Sequence, residues 1–153
     1  MHHSAIALSP SATTSPPARL LVVDDNELIR ELHSLVLSRE GYEVETAEDG
    51  AAALEQLAAE RFDLVLTDRQ MPNLDGITML LALRAAGSLI PVVMVSGSLA
   101  HKPLPPAIAC EISAALPKPA RTAEVLAAVA SALSACPRRE SLSHFRRVHL
   151  ADN

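Results

Sequence analysis

Residues 62–76 read FDLVLTDRQMPNLDG. The apolar run Leu64-Val65-Leu66 passes through a polar Thr67 into a carboxylate, Asp68, and is closed by Pro72 and the turn-forming Asn73-Leu74-Asp75-Gly76. A short run of branched apolar side chains bounded by turn chemistry is the pattern of a strand buried on both faces of a parallel sheet. Such a sheet needs helices on both sides. In open α/β sheets the site lies beyond the carboxyl ends of the strands, so Asp68 is expected at the site's edge.

The same pattern recurs along the chain. Leu20-Leu21-Val22-Val23 runs into Asp24-Asp25, and Asn26 can cap a helix carrying Leu28, Ile29, Leu32, Leu35 and Val36 at helical spacing. Gly41 ends that helix, and residues 42–47 read as a weakly alternating strand. Asp49 and Gly50 open a helix of high propensity, AAALEQLAAE. After the 62–76 segment comes a helix over 77–86 stopped by Gly87, then a strand from Pro91 to Val95 that ends in Ser96-Gly97. A short strand over 114–116 precedes Pro117-Lys118-Pro119, and a last helix over 121–135 carries Val125, Leu126, Val129 and Leu133 before Pro137. Between Ser96 and Ala114, the prolines at 103, 105 and 106 restrict any helix to a short one that starts near Pro106 and ends around Ile112. Five alternations of strand and helix imply a parallel sheet covered on both faces by right-handed crossovers.

A chain of 153 residues supplies one domain, here expected over 19–136. Residues 1–18, rich in Ser, Thr, Pro and Ala, read as a disordered leader. Residues 137–153 read as a basic, frayed tail, with Arg138, Arg139, Arg146 and Arg147 around Leu142, Phe145 and Val148, too short for a DNA-binding domain. Aromatic residues make up only 2%, so the core must be aliphatic. A net charge of -5 argues against bulk attraction to nucleic acid or anionic membrane. Cys110 and Cys136 have no metal-like spacing and suggest no disulfide framework. No secretory signal or membrane span is visible, which makes a reduced, cytoplasmic location the expectation.

The strand ends together define the chemistry. Asp24 and Asp25 follow the first strand, Asp68 the third, Ser96 the fourth and Lys118 the fifth. Carboxylates about 6 Å apart repel by roughly 3 kcal/mol per pair at an effective dielectric near 20. Three of them cannot all stay ionised without a cation or shifted pKa values. A hard divalent ion with oxygen ligands answers that need, and Mg²⁺ suits a site of carboxylates, waters and a phosphate oxygen. Lys118 is a point charge for a phosphoryl group, and Ser96 is a donor to one of its oxygens. One carboxylate is then free to act as a nucleophile.

The acidic pair Asp24-Asp25, the segment TDRQMPNLDG, Ser96-Gly97 and Lys118-Pro119, in that order and spacing, resemble the receiver domain of bacterial two-component response regulators over residues 19–135. The family includes the single-domain chemotaxis regulator. The resemblance implies a flavodoxin-like (βα)5 doubly wound parallel sheet of strand order 2-1-3-4-5. It implies that Asp68 is the phosphoacceptor. Asp25, Asp68 and the backbone carbonyl of Gln70 would hold Mg²⁺ directly, and Asp24 mainly through water. Lys118 would neutralise the phosphoryl group and Ser96 would follow it, while Gln70 and Ser98 sit where the family tunes access of the dephosphorylating water. The implied partner is a sensor histidine kinase or histidine phosphotransfer protein, with an unknown protein downstream. Two features depart from the family. Ala115 stands three residues before the lysine, where an aromatic is usual, and the preceding helix is interrupted by prolines.

The leading expectation is therefore a signalling module that accepts a phosphoryl group and binds a partner, catalysing only its own phosphorylation and dephosphorylation. A receiver within a hybrid kinase or phosphorelay is the second reading. A Mg²⁺-dependent aspartyl-phosphate phosphatase is the third. Those enzymes usually carry a second acidic residue two positions after the nucleophile, and here that position is Gln70.

Overall fold

Short apolar runs and amphipathic stretches fold into alternating strands and helices, seen in a computed structural model that describes residues 16–135. Most of the expected leader and the basic tail lie outside those residues. The strands are β1 (Arg19–Val23), β2 (Glu43–Ala47), β3 (Leu64–Asp68), β4 (Val92–Ser96) and β5 (Ala114–Pro117). Between and after them come α1 (Glu27–Arg39), α2 (Gly50–Ala59), α3 (Gly76–Ala85), α4 (Pro106–Ala109) and α5 (Thr122–Ala135). All strands are parallel, in the order β2-β1-β3-β4-β5, so the expected flavodoxin-like order is the one observed.

The two-residue alternation of each strand sorts the core into two layers. Leu21, Val23, Val65 and Val92 face Ala53, Met79, Leu80, Leu83 and Ile108, contributed by α2, α3 and α4. Leu20, Val22, Leu64, Leu66, Val93 and Val95 face Leu37, Val125, Val129 and Ala132 of α1 and α5. With β1, β3 and β4 buried on both sides, each Leu or Val contributes about 1.5–3 kcal/mol by leaving water. That accounts for the continuous apolar runs in the sequence.

The helix boundaries follow local chemistry. Asn26, Asp49 and Asp75 accept from the backbone N–H of Ile29, Ala52 and Thr78, capping α1, α2 and α3. Gly41 and Gly87, with φ of 93° and 83°, follow the ends of α1 and α3 as expected. The proline-bounded α4 is a single turn with Pro106 first.

One expectation is corrected. Of the five residues expected to form the buried stripe of α1, Leu28, Leu32 and Leu35 are 77%, 52% and 51% exposed. The helix carries two apolar strips about a third of a turn apart, and only one can face the sheet. Leu37 holds that position, fully buried in the core, while Ile29 and Val36 are half-buried.

Candidate functional site

Strand order places the site. The chain leaves β1 toward β2 on one side and reaches β3 on the other, so the carboxyl ends of β1 and β3 flank the crevice where the order reverses. Register sets the depth. Val23 pairs with Thr67, which brings Asp24 level with Asp68, and Asp68 pairs with Val95, one residue before Ser96. Ser96 pairs with Pro117, next to Lys118. The peptide bond between Lys118 and Pro119 is cis.

Five side chains expected from the sequence thus meet at one edge. Lys118 Nζ donates to Asp68 Oδ2 at 2.9 Å and to Asp24 Oδ2 at 3.1 Å. Carboxylate oxygens of Asp24, Asp25 and Asp68 lie within 4.8 Å of one another, closer than the separation assumed above. Asp24 and Asp68 are buried, and Asp25 is exposed. Burial works to lower the Lys118 pKa, but hydrogen bonding and charge from Asp68 and then Asp24 outweigh it, so the ammonium is held above its ordinary value of 10.5.

The surroundings hold these groups in place. Asp24 Oδ1 accepts from the Asn26 N–H at 2.9 Å, and the Arg30 guanidinium donates to the Asp24 carbonyl at 2.7 Å. Both Asp24 oxygens are therefore committed to protein partners, whereas Asp25 makes no side-chain hydrogen bond among the described residues. Asp68 Oδ1 accepts one long bond, 3.3 Å, from the Gln70 N–H. Gly76 has to be glycine: a Cβ there would sit 2.2 Å from the Asp68 carbonyl oxygen, and its N–H donates to the Arg69 carbonyl at 2.9 Å. The turn after β3 therefore folds tightly under Asp68.

Residues 20–130 match the family model described as response regulator receiver domain. The chain belongs to that family. As a receiver it is similar to response regulator MprA of Mycolicibacterium vanbaalenii, 42% identical over 80 residues, which cover 52% of this chain and 35% of that protein. The match thus spans about a third of the relative's length. Among solved structures, the receiver is similar to chemotaxis response regulator CheY4 of Vibrio cholerae, at 32% identity and a TM-score of 0.67, covering 74% of this chain and 97% of that one. It is also similar to the Francisella response regulator 1452 receiver domain, at 26% identity and a TM-score of 0.71, covering 76% and 97%.

The receiver's acidic cluster suits a hard cation. Three carboxylates converge, and the exposed Asp25 is the one with no hydrogen-bond partner among the described residues, which leaves its oxygens open to a cation. Gln70, whose carbonyl was expected beside them, is exposed and adjacent through its bond to Asp68. On the other side, Ser96 is 1% exposed, and its hydroxyl shares a 3.0 Å hydrogen bond with that of Ser98. Ala115 lies on edge strand β5 and is exposed, because the one-turn α4 leaves that face of the strand uncovered. Among the described residues no helix is long and apolar enough to cross a membrane.

Three contributors were not singled out from the sequence. Arg30 reaches Asp24 from one turn into α1, at a spacing a capped helix could have suggested. His33, also on α1, has its pKa lowered from 6.5, chiefly by burial and further by Lys118, with Asp24 opposing. Arg69, next to Asp68, is 8% exposed and donates to the Lys102 carbonyl. Its only sequence signal was a charge beside the strand-end carboxylate of Asp68.

Proposed function

We propose that this receiver accepts a phosphoryl group on Asp68 from a histidine kinase or histidine phosphotransfer protein and signals by phosphorylation-dependent partner binding in the cytoplasm. One observation carries the reading: a buried strand-end carboxylate sits 2.9 Å from a lysine ammonium and within 4.8 Å of two further carboxylates. Asp68 Oδ2 is held by Lys118, so Oδ1, with its single long contact, is the freer oxygen. A lone pair on Oδ1 forms the new P–O bond as the bond from phosphorus to the donor's nitrogen breaks, and the imidazole leaves with its electron pair. Lys118 turns from the carboxylates toward the transferred oxygens as their charge arrives. Ser96 Oγ then exchanges its Ser98 partner for a phosphoryl oxygen. Mg²⁺ held by Asp25, Asp68 and the Gln70 carbonyl, with Asp24 behind it, would neutralise charge on the phosphoryl oxygens.

The protein in this reading is a signalling module whose only reactions are its own phosphorylation and dephosphorylation. Gln70, two positions after Asp68, offers no general acid for phosphatase turnover. Intact mass after incubation with acetyl phosphate tests the assignment. Wild type is expected to gain one phosphoryl group with Mg²⁺ present and none without it, and Asp68→Asn none in either case. Equal labelling of the two proteins would refute it.

A further inference from the structure

Arg69 is a buried guanidinium with no carboxylate to balance it: no acidic side chain of the described residues forms an ion pair with it. Its side chain donates to one neutral group, the carbonyl of Lys102. That contact closes a circuit. Lys102 N–H donates to the Ser98 carbonyl at 2.7 Å, and the His101 N–H donates to the same oxygen at 3.1 Å. Ser98 is bound in turn to Ser96 by the shared hydroxyl bond and by its N–H, at 3.3 Å to Ser96 Oγ. Gly97 lies beside Lys118, with a Cβ placed on it 3.9 Å from that of Lys118. Segment 97–105 is thus tied at one end to the site hydroxyl and, through Arg69, to the residue that follows Asp68.

We propose that Arg69 is a positioning residue that latches segment 97–105 to the end of β3, and that a phosphoryl group on Asp68 loosens this latch. A guanidinium offers five N–H donors in a fork suited to two phosphoryl oxygens, and a single backbone carbonyl uses one of them. Phosphorylation replaces a carboxylate with a group carrying about -1.5 to -2 charges, one residue from Arg69. That anion competes for the guanidinium, and Ser96 is recruited by the same group, so both ties on the segment let go together. The rearrangement needs no rotamer change at residue 115, where an alanine has none to make. The loosening half rests on the phosphoacceptor reading of Asp68; the latch itself does not.

Hydrogen exchange on the full chain tests both halves, with wild type, Arg69→Gln and Arg69→Lys, each with and without beryllofluoride and Mg²⁺. In the unmodified state, Arg69→Gln is expected to speed exchange at the His101 and Lys102 amides about tenfold, with Arg69→Lys in between. Beryllofluoride is expected to speed the same amides in wild type and to add little in Arg69→Gln. Wild-type rates at 101 and 102 in unmodified Arg69→Gln overturn the latch, whatever happens at Asp68. If Arg69→Gln does not fold, unaltered rates in Arg69→Lys do the same. Fluorine NMR reports separately whether beryllofluoride binds wild type. No bound signal refutes the phosphoacceptor reading and with it the loosening, and leaves the latch judged on the unmodified proteins. Bound beryllofluoride with greater protection at 101–102, or with strong new protection along 121–133, overturns the loosening.

Discussion

Removing the charge of Asp25 should stabilise the metal-free protein. Two unit charges 4.8 Å apart repel by about 3.5 kcal/mol at an effective dielectric of 20 and by about 0.9 kcal/mol in water. Asp25 faces two carboxylates at or within that separation, but it is exposed and solvent screens it, so the water figure governs its share. Asp25→Asn is then expected to gain about 1–2 kcal/mol, or roughly 4–8 °C in melting temperature for a domain near this size. The gain should shrink toward zero at about 1 M salt, where the screening length falls to roughly 3 Å. Adding Mg²⁺ should reverse the order, because wild type gains about 2.7 kcal/mol at a hundred times its dissociation constant while the variant has lost its freest ligand. Thermal melts followed by circular dichroism, with and without Mg²⁺ at low and high salt, measure all four terms. The reasoning is refuted if Asp25→Asn melts below wild type without metal, or if it gains as much from Mg²⁺ as wild type does.

Lys118→Met should have the opposite sign, lowering metal-free stability by about 1–2 kcal/mol after discounting for the part-exposed ammonium, since Asp24 and Asp68 lose their shared cation; an unchanged melt would show that the ion pairs contribute nothing net. Because the Lys118 pKa is raised, its contribution is fully present below 10.5 and is lost as pH rises through the folded value, so the melting difference between wild type and Lys118→Met should narrow only in strong alkali. The lowered pKa of His33 works the other way. The unfolded chain takes up the proton first, so stability falls as pH drops through 6.5 and levels off below the folded value, and His33→Gln should flatten that part of a melting-temperature profile. Gly76→Ala should cost about 1–3 kcal/mol by denaturant titration, because its Cβ would sit 2.2 Å from the Asp68 carbonyl and the turn must open.

Much of this was legible in the sequence because the physics is local. A run such as Leu64-Val65-Leu66 has to be buried on both sides wherever it lies, and proline at 103, 105 and 106 forbids a long helix in any context. Polar residues at the ends of parallel strands must gather at one edge, so Asp24, Asp25, Asp68, Ser96 and Lys118 could be named before their distances were known. Other features were decided only by tertiary structure. The exposed strip on α1 is one, since Leu28, Leu32 and Leu35 follow helical spacing as well as Ile29, Val36 and Leu37 do, and only docking on the sheet chooses between them. The division of labour among the carboxylates is another. Asp24 and Asp25 are adjacent and chemically identical, yet register and the Lys118 ammonium commit one and leave the other to solvent. The contact from Arg69 to Lys102 joins residues 33 positions apart in a loop without periodicity. No propensity or spacing encodes such a bond. It exists because β3 and β4 are neighbours, and the loop that leaves β4 passes within reach of the side chain that follows β3.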